Sequence, residues 1–291
     1  MTRGVERVSR ANAGGLTFVA RLAHAPFPIE DRDNVYFDGR DPETGERFHT
    51  GPTGPLPETQ HYRDDRVLFH VPRHFNPARP FELLVFFHGH RAELQRTLIG
   101  EHALARQIDE SRRNVVLVAP QLALDASDSH PGKLAEPEGL ARFLDEAADV
   151  LAAHVEGLVR DVAQRAPIIL VAFSGGYRTA ALCLERGGVE RRIHGVLLID
   201  AIYGEVERLG AWLAGPGRRD FFLCLYGESS REGTEALVEA LAKDGIDVHR
   251  AYPRRISPGI VYVAWVDTSH DLIPRDGPPA APIADFLKRL P

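Results

Sequence analysis

Ser174 lies where a buried strand meets a helix, because the apolar run 168–173 ends immediately before it and a helical pattern of apolar residues follows. A hydroxyl at the apex of such a turn, a nucleophile elbow, requires small residues two positions to either side, and Ala172 and Gly176 satisfy this. The free N–H groups and the dipole of the helix start favour developing negative charge, with the N–H of Gly175 as the natural oxyanion donor. The pattern predicts a nucleophilic serine, although a serine that only caps the helix would fit it equally well.

A second motif follows the earlier buried run 81–87 and consists of His88, Gly89 and His90. The glycine lets the backbone turn sharply after the strand, so that the N–H of Gly89 or His90 can point toward the same oxyanion. The two histidines could instead bind a metal ion together with His102 or His130. Because no set of carboxylates and histidines at ligand spacing is evident, the sequence favours an oxyanion hole, and no metal is expected.

His270 follows the last buried run, 260–266, and precedes the final helix. A histidine on that loop can reach over the sheet edge to a serine on a central strand, where it would act as the general base. On its own, the residue is more typical of an exposed surface histidine.

Two carboxylates compete to orient His270. Asp200 ends the buried run 195–199, where a charge needs a partner to offset its desolvation. Glu228 follows the next buried run, but its polar surroundings are also typical of a solvated turn before a helix. The sequence favours Asp200 and leaves Glu228 as the alternative acid.

Buried strands and helices that alternate along the chain must position these residues. Short, nearly continuous apolar runs, typical of strands covered on both faces, occur at 67–71, 81–87, 114–119, 168–173, 195–199, 221–226 and 260–266. Apolar residues recur at helical spacing within 94–108, 140–162, 206–213, 237–241 and 283–290. The alternation predicts an α/β fold with a mostly parallel, doubly wound sheet, helices on both faces and no large cap domain. In such sheets the ligand binds at the carboxyl ends of the strands.

The first 65 residues follow a different pattern, rich in Gly, Pro and Asp, with turn clusters at 31–34, 41–45 and 51–55. This composition predicts a strand and loop segment, 1–65, in front of a core formed by 66–291. Because no Pro/Ser-rich linker interrupts the core, one domain overall is expected. We also expect the N-terminal segment and the polar loop 121–133 to line the pocket.

Composition limits the possible partners. The 291 residues include 35 Lys and Arg and 41 Asp and Glu, and the net charge of −6 argues against nucleic acid. No apolar run approaches the ~20 residues of a membrane span, and no apolar segment of a secretory signal follows the N-terminus.

Cys183 and Cys224 stand among apolar residues and predict buried thiols in a reducing compartment, hence a cytoplasmic location.

Taken together in chain order, these motifs resemble the α/β-hydrolase superfamily. The resemblance covers about 67–290: His88 and Gly89 follow the third strand, Ser174 the fifth, the two acids the sixth and seventh, and His270 the eighth. It implies a serine hydrolase that cleaves an ester or related acyl bond of a small molecule through a catalytic triad and without a cofactor.

The chain departs from the superfamily pattern at two points. Ala172 stands where glycine is usual, and the acid could be either Asp200 or Glu228. A peptidase or amidase would use the same residues, and a non-catalytic ligand-binding protein could have the same fold.

Overall fold

The computed structural model describes residues 6–7, 15–30 and 35–291, so the predicted turn at 31–34 lies outside the described residues. The strands described are β1 (Glu6–Arg7), β2 (Leu16–Arg21), β3 (Gly39–Arg40), β4 (Arg47–Gly51), β5 (Gly54–Pro57), β6 (Arg66–Val71), β7 (Glu82–Phe87), β8 (Val115–Pro120), β9 (Ile168–Phe173), β10 (Ile193–Ile199), β11 (Phe221–Tyr226), β12 (Val248–His249) and β13 (Val261–Trp265). The α-helices are α1 (Glu58–His61), α2 (Leu104–Ser111), α3 (Gly139–His154), α4 (Arg160–Arg165), α5 (Tyr177–Arg186), α6 (Val206–Ala214), α7 (Arg231–Lys243), α8 (Ile273–Asp276) and α9 (Pro282–Arg289).

A ten-stranded sheet forms the centre of the molecule, in the order β1-β2-β6-β8-β7-β9-β10-β11-β13-β12. The strands from β8 to β12 in this order run parallel, whereas β1, β2 and β6 add antiparallel pairs at one edge. The prediction of a mostly parallel α/β sheet is confirmed. Between β10 and β11 the chain forms only α6 and a short 3₁₀ turn, and no cap domain is inserted there.

The continuous apolar runs arise because both faces of the sheet are covered. In β7, Leu83 and Val85 point to a core cluster that includes residues of α3, α5 and α6. Leu84 and Phe86 point to the opposite face, where residues of α2 and α9 complete a second cluster. Since successive side chains of a strand alternate between faces, an apolar residue is needed at each position that packs into either cluster.

Two of the predicted helical periods are each interrupted. The pattern over 94–108 is a π-helix, Leu94–Glu101, followed by α2, with the left-handed residue Ala103 (φ 52°) between them. The pattern over 140–162 breaks after α3, and Gly157 turns the chain with a φ of 76° before α4 begins. Apolar spacing continues across both breaks, so periodicity alone does not locate them.

Part of the N-terminal segment belongs to the central sheet. β2 pairs with β6 along its whole length, and Phe18 stacks on Phe69 with ring centroids 5.0 Å apart. β3, β4 and β5 form a separate three-stranded sheet. A small apolar cluster that includes Phe27, Phe37 and Tyr62 packs this region against the loop after β8. The segment therefore supports one side of the strand ends.

Within the described ranges, none of the helices combines the length and apolar character needed to cross a membrane. Cys183 and Cys224 are both buried and unpaired with each other, and burial raises the pKa of both thiols.

Glu82, at the start of β7, makes the fold sensitive to acid. Burial raises its pKa, but Arg113 (Nη2 to Oε1, 2.8 Å) and His194 (Nε2 to Oε1, 3.2 Å) outweigh burial and lower the pKa from 4.5 to about 2. Because the folded pKa lies below the unfolded one, the ionised carboxylate stabilises the protein above about pH 4.5, and this contribution is lost as the pH falls toward about 2.

We expect Glu82→Gln to lower the free energy of unfolding at pH 7 by roughly 3 kcal/mol. The difference between variant and wild type should shrink as the pH falls toward 2, as measured by urea denaturation at several pH values. The exposed Glu43→Gln serves as control and should change little. A Glu82→Gln deficit that is independent of pH would contradict the electrostatic explanation.

Candidate active site

Ser174 stands at the apex of the turn between β9 and α5. Its φ is 50°, in the left-handed region that side-chain-bearing residues rarely adopt. The neighbouring strand end leaves no room for larger residues, since a Cβ at Gly176 would lie 2.3 Å from the carbonyl oxygen of Phe87. A Cβ at Gly89 would lie 2.7 Å from the Cβ of Ser174. Only glycines at these two positions permit the turn and its close contact with the loop after β7.

His270 connects the serine to a buried carboxylate. Its Nε2 lies 2.9 Å from Ser174 Oγ, and its Nδ1 lies 2.6 Å from Asp200 Oδ2. The ring stacks on Phe173, with centroids 4.8 Å apart and planes inclined by 22°. The three polar side chains follow β9, β10 and β13 and form one hydrogen-bonded chain across the carboxyl ends of these strands.

Asp200 is completely buried and accepts several hydrogen bonds. The N–H of Gly227 donates to Oδ1 at 2.8 Å, and the hydroxyls of Ser229 and Ser230 donate to Oδ2 and Oδ1. Burial raises the pKa of Asp200, but the hydrogen bonds from His270 and these donors outweigh burial and lower the pKa to about 2. The carboxylate therefore remains ionised at any pH near neutrality.

The structure does not bring Glu228, the alternative acid, to His270. Its side chain is 75% exposed and pairs with Arg231, with 2.8 Å between Oε2 and Nη2. It lies in the short 3₁₀ turn that leads into α7, where an acidic residue interacts favourably with the start of the helix.

Two serines and a tyrosine beside Asp200 and His270 were not predicted from the sequence. Tyr203 donates a hydrogen bond to Ser229 Oγ at 3.1 Å, and Ser229 Oγ lies 3.3 Å from His270 Nδ1. Ser229 and Ser230 follow β11, the strand next to β10, so their approach to Asp200 depends on the strand order. In the sequence, only the two consecutive serines directly after Glu228 could have indicated that hydroxyl groups lie near the acid.

Solved structures provide the comparison for this arrangement, since no family model and no curated protein matches the chain. An S-formylglutathione hydrolase from Agrobacterium tumefaciens is similar over 98% of this chain and 100% of its own, with 12% identity and a TM-score of 0.53. The feruloyl esterase module from Clostridium thermocellum, a mutant in complex with sinapinate, is similar over 90% of this chain and 92% of its own, with 14% identity and a TM-score of 0.50. A ferulic acid esterase matches 77% of this chain and 92% of its own, with 11% identity and a TM-score of 0.50.

The chain has the α/β-hydrolase fold. At these identities the likeness establishes the fold alone.

His88 has a structural position in this α/β-hydrolase fold. It is buried, its Nδ1–H donates to the carbonyl of Gly89 at 2.7 Å, and its Nε2 accepts from the N–H of Leu122 at 2.8 Å. Burial lowers its pKa to about 4, so the ring is neutral near pH 7. His88 ties the loop after β7 to the loop after β8.

Backbone donors surround the serine. In the described part of the chain, the N–H groups of Gly89 and His90 have no hydrogen-bond acceptor. Gly175 lies in the first turn of its helical segment, where N–H groups lack an intrahelical carbonyl. The ring of His90 packs against Gly175 and lies 2.8 Å from Ser129, measured from Nε2 to Oγ.

The histidines considered as metal ligands are held by separate contacts. His102 packs edge-on against Phe173, and His130 packs against Tyr36. Across the described ranges, no group of three or more His, Cys, Asp or Glu side chains is placed to hold a metal ion.

A cleft of about 740 Å³ opens above Ser174 and His270. Of the loop 121–133, Ser127 lines this cleft, whereas Asp128 is not among the lining residues and accepts hydrogen bonds from Tyr36 and Tyr62. The described part of the N-terminal segment contacts this loop and does not itself line the cleft. It is therefore placed to act on the cleft through the loop.

The two serines that bind Asp200 should differ in their effect on stability. Ser230 is 1% exposed, so Ser230→Ala leaves a buried carboxylate oxygen short of a charge-assisted hydrogen bond and should lower the free energy of unfolding by about 2 kcal/mol. Ser229 is exposed, and water can replace its hydroxyl in Ser229→Ala, for which we expect less than about 1 kcal/mol. Urea denaturation of both variants measures the difference, and equal losses would be the contrary result.

Proposed function

We propose that this protein is a serine hydrolase of carboxylic esters, in which Ser174 is the nucleophile, His270 the general base and Asp200 the orienting acid. The observation that carries the proposal is the unbroken hydrogen-bonded chain from Ser174 Oγ through the His270 ring to Asp200, with distances of 2.9 and 2.6 Å. The adjoining cleft gives a small acyl compound access to Ser174.

The first half of the reaction transfers the acyl group to the serine. Ser174 Oγ attacks the carbonyl carbon of the ester while His270 Nε2 takes the hydroxyl proton. The tetrahedral intermediate then collapses, the bond to the alcohol oxygen breaks, and the Nε2 proton passes to that oxygen. An acyl-enzyme and a free alcohol result.

Water completes the cycle. It loses a proton to His270 Nε2 as its oxygen attacks the acyl carbon, and collapse of the second intermediate releases the carboxylic acid and returns the proton to Ser174. Asp200 remains ionised throughout, holds Nδ1–H in place and stabilises the imidazolium that forms in each half.

The oxyanion hole in this proposal consists of the N–H of Gly175 and an N–H from Gly89 or His90. Two observations support the assignment: among the described residues the N–H groups of Gly89 and His90 have no acceptor, and Gly89 packs against Ser174. Each such donor is worth about 3 kcal/mol of transition-state stabilisation.

Pre-steady-state hydrolysis of 4-nitrophenyl butyrate tests the function. We expect a burst of one equivalent of 4-nitrophenol per chain, followed by slower turnover, because the acyl-enzyme accumulates. Ser174→Ala should show no burst, while Ser257→Ala, a serine outside the cleft, should behave as the wild type. A ligand-binding protein would show no Ser174-dependent release at all.

We also propose a reducing, cytoplasmic compartment for the protein. The two buried thiols, Cys183 and Cys224, support this because neither forms a disulfide.

A further inference from the structure

Arg91 brings an unneutralised positive charge to the cleft of Ser174. It lines the cleft, and no carboxylate in the described part of the chain pairs with it. The other arginine of the cleft, Arg275, is neutralised by Asp276, with 2.6 Å between Nη2 and Oδ2. The two arginines therefore differ in their capacity to bind an anion.

The backbone and one edge of the Arg91 side chain are fixed by the surrounding loops. Its N–H donates to the carbonyl of Ala126 at 2.9 Å, and its own carbonyl accepts from Arg96 Nη2 at 2.7 Å. Its Nε donates to Ser127 Oγ at 2.9 Å, which leaves both terminal amino groups without a partner among the described residues. A guanidinium held in this way presents two parallel N–H donors, the geometry that matches a carboxylate.

Arg91 is also close to the reaction centre. It follows Gly89 by two residues, and a Cβ at Gly89 would lie 3.2 Å from Ser174 Oγ. His90, the residue before Arg91, packs its ring on Gly175. Burial lowers the pKa of this ring, Asp128 opposes burial, and the charge of Arg91 lowers the pKa further.

We propose that Arg91 binds a carboxylate of the substrate, so that the protein prefers esters carrying a second, ionised acid group over neutral esters of similar size. The inference rests on the proposed function and adds a substrate class to it. Glu101 and Asp271, which also line the cleft, repel an anion from their own positions and so favour a single orientation of such a substrate.

Two pairs of esters test the proposal and distinguish the sides of the scissile bond. The first pair, 4-nitrophenyl hydrogen succinate and 4-nitrophenyl butyrate, differs by a carboxylate on the acyl side. The second, 4-acetoxybenzoate and its methyl ester, differs by a carboxylate on the leaving group. We expect the wild type to favour the charged member of one pair about 10- to 100-fold in kcat/KM, the usual worth of a bidentate Arg–carboxylate contact.

Substitutions of the two arginines test whether Arg91 causes the preference for the charged esters. Arg91→Gln should lower the ratio of kcat/KM for the charged ester to kcat/KM for the neutral ester about 10- to 100-fold. Arg91→Lys should lower this ratio less because the charge is retained. Arg275→Gln, the matched arginine that is already neutralised, should change the ratio by less than about 3-fold. Fluorophosphonate labelling of each variant verifies that the serine site is folded.

The inference is overturned if the wild type shows no preference in either pair, or if Arg91→Gln retains the wild-type ratio. In those cases Ser174-dependent hydrolysis of the neutral esters would leave the proposed function intact. Absence of Ser174-dependent hydrolysis for all four esters would instead overturn the proposed function itself.

Discussion

Asp200→Asn is expected to lower kcat about 10⁴-fold, because an amide donates to Nδ1 and stabilises the wrong tautomer of His270. The carboxylate accepts the Nδ1–H at 2.6 Å and has a pKa of about 2, so the wild-type imidazole always faces an anion. Steady-state kinetics with 4-nitrophenyl butyrate measure the loss, and fluorescence and denaturation profiles verify folding.

Glu228→Gln is the matched control for this substitution. Glu228 is exposed and paired with Arg231, so its neutralisation should change kcat by less than about 2-fold. An inactive Glu228→Gln protein alongside an active, folded Asp200→Asn protein would contradict this assignment. It would mean that Glu228 orients His270 during catalysis and that Asp200 does not.

His270→Ala should lower kcat/KM by a factor of about 10⁴ to 10⁶, because Ser174 loses the group that removes its proton. In the wild type, kcat/KM should fall as the pH is lowered from about 8 to 5, where histidines take up a proton and cease to act as bases. The small residual activity of His270→Ala should lack this dependence.

Asp200 does not itself contribute to that pH dependence. Since its pKa of about 2 lies below the usual 3.8, it keeps its charge at every pH between about 8 and 5. A wild-type profile that is flat between about pH 8 and 5 would argue against a histidine base.

The central sheet could be predicted because its strands are covered on both faces. Short, continuous apolar runs such as 168–173 and 221–226, separated by helical patterns, are typical of buried parallel strands. The carboxyl ends of parallel strands collect at one edge of the sheet. This rule is enough to place Ser174, Asp200 and His270 near one another.

The remaining features depend on contacts between segments distant in sequence. Ser229 and Ser230 reach Asp200 only because β10 and β11 are neighbours, and Arg91 is fixed by Ala126 and Ser127 from another loop. Such side-chain contacts have no periodicity in the sequence. The left-handed backbone at positions such as 103 likewise has no residue signal, because alanine does not favour it.

Labelling with a fluorophosphonate, followed by peptide mass spectrometry, tests whether Ser174 is the nucleophile. A serine activated by a neighbouring base is phosphonylated rapidly, whereas surface serines react far more slowly. We expect one label per folded chain, located on Ser174, and its loss in Ser174→Ala and His270→Ala. A folded wild-type protein that remains unlabelled, or that is labelled elsewhere while Ser174 stays free, would show that Ser174 is not the nucleophile.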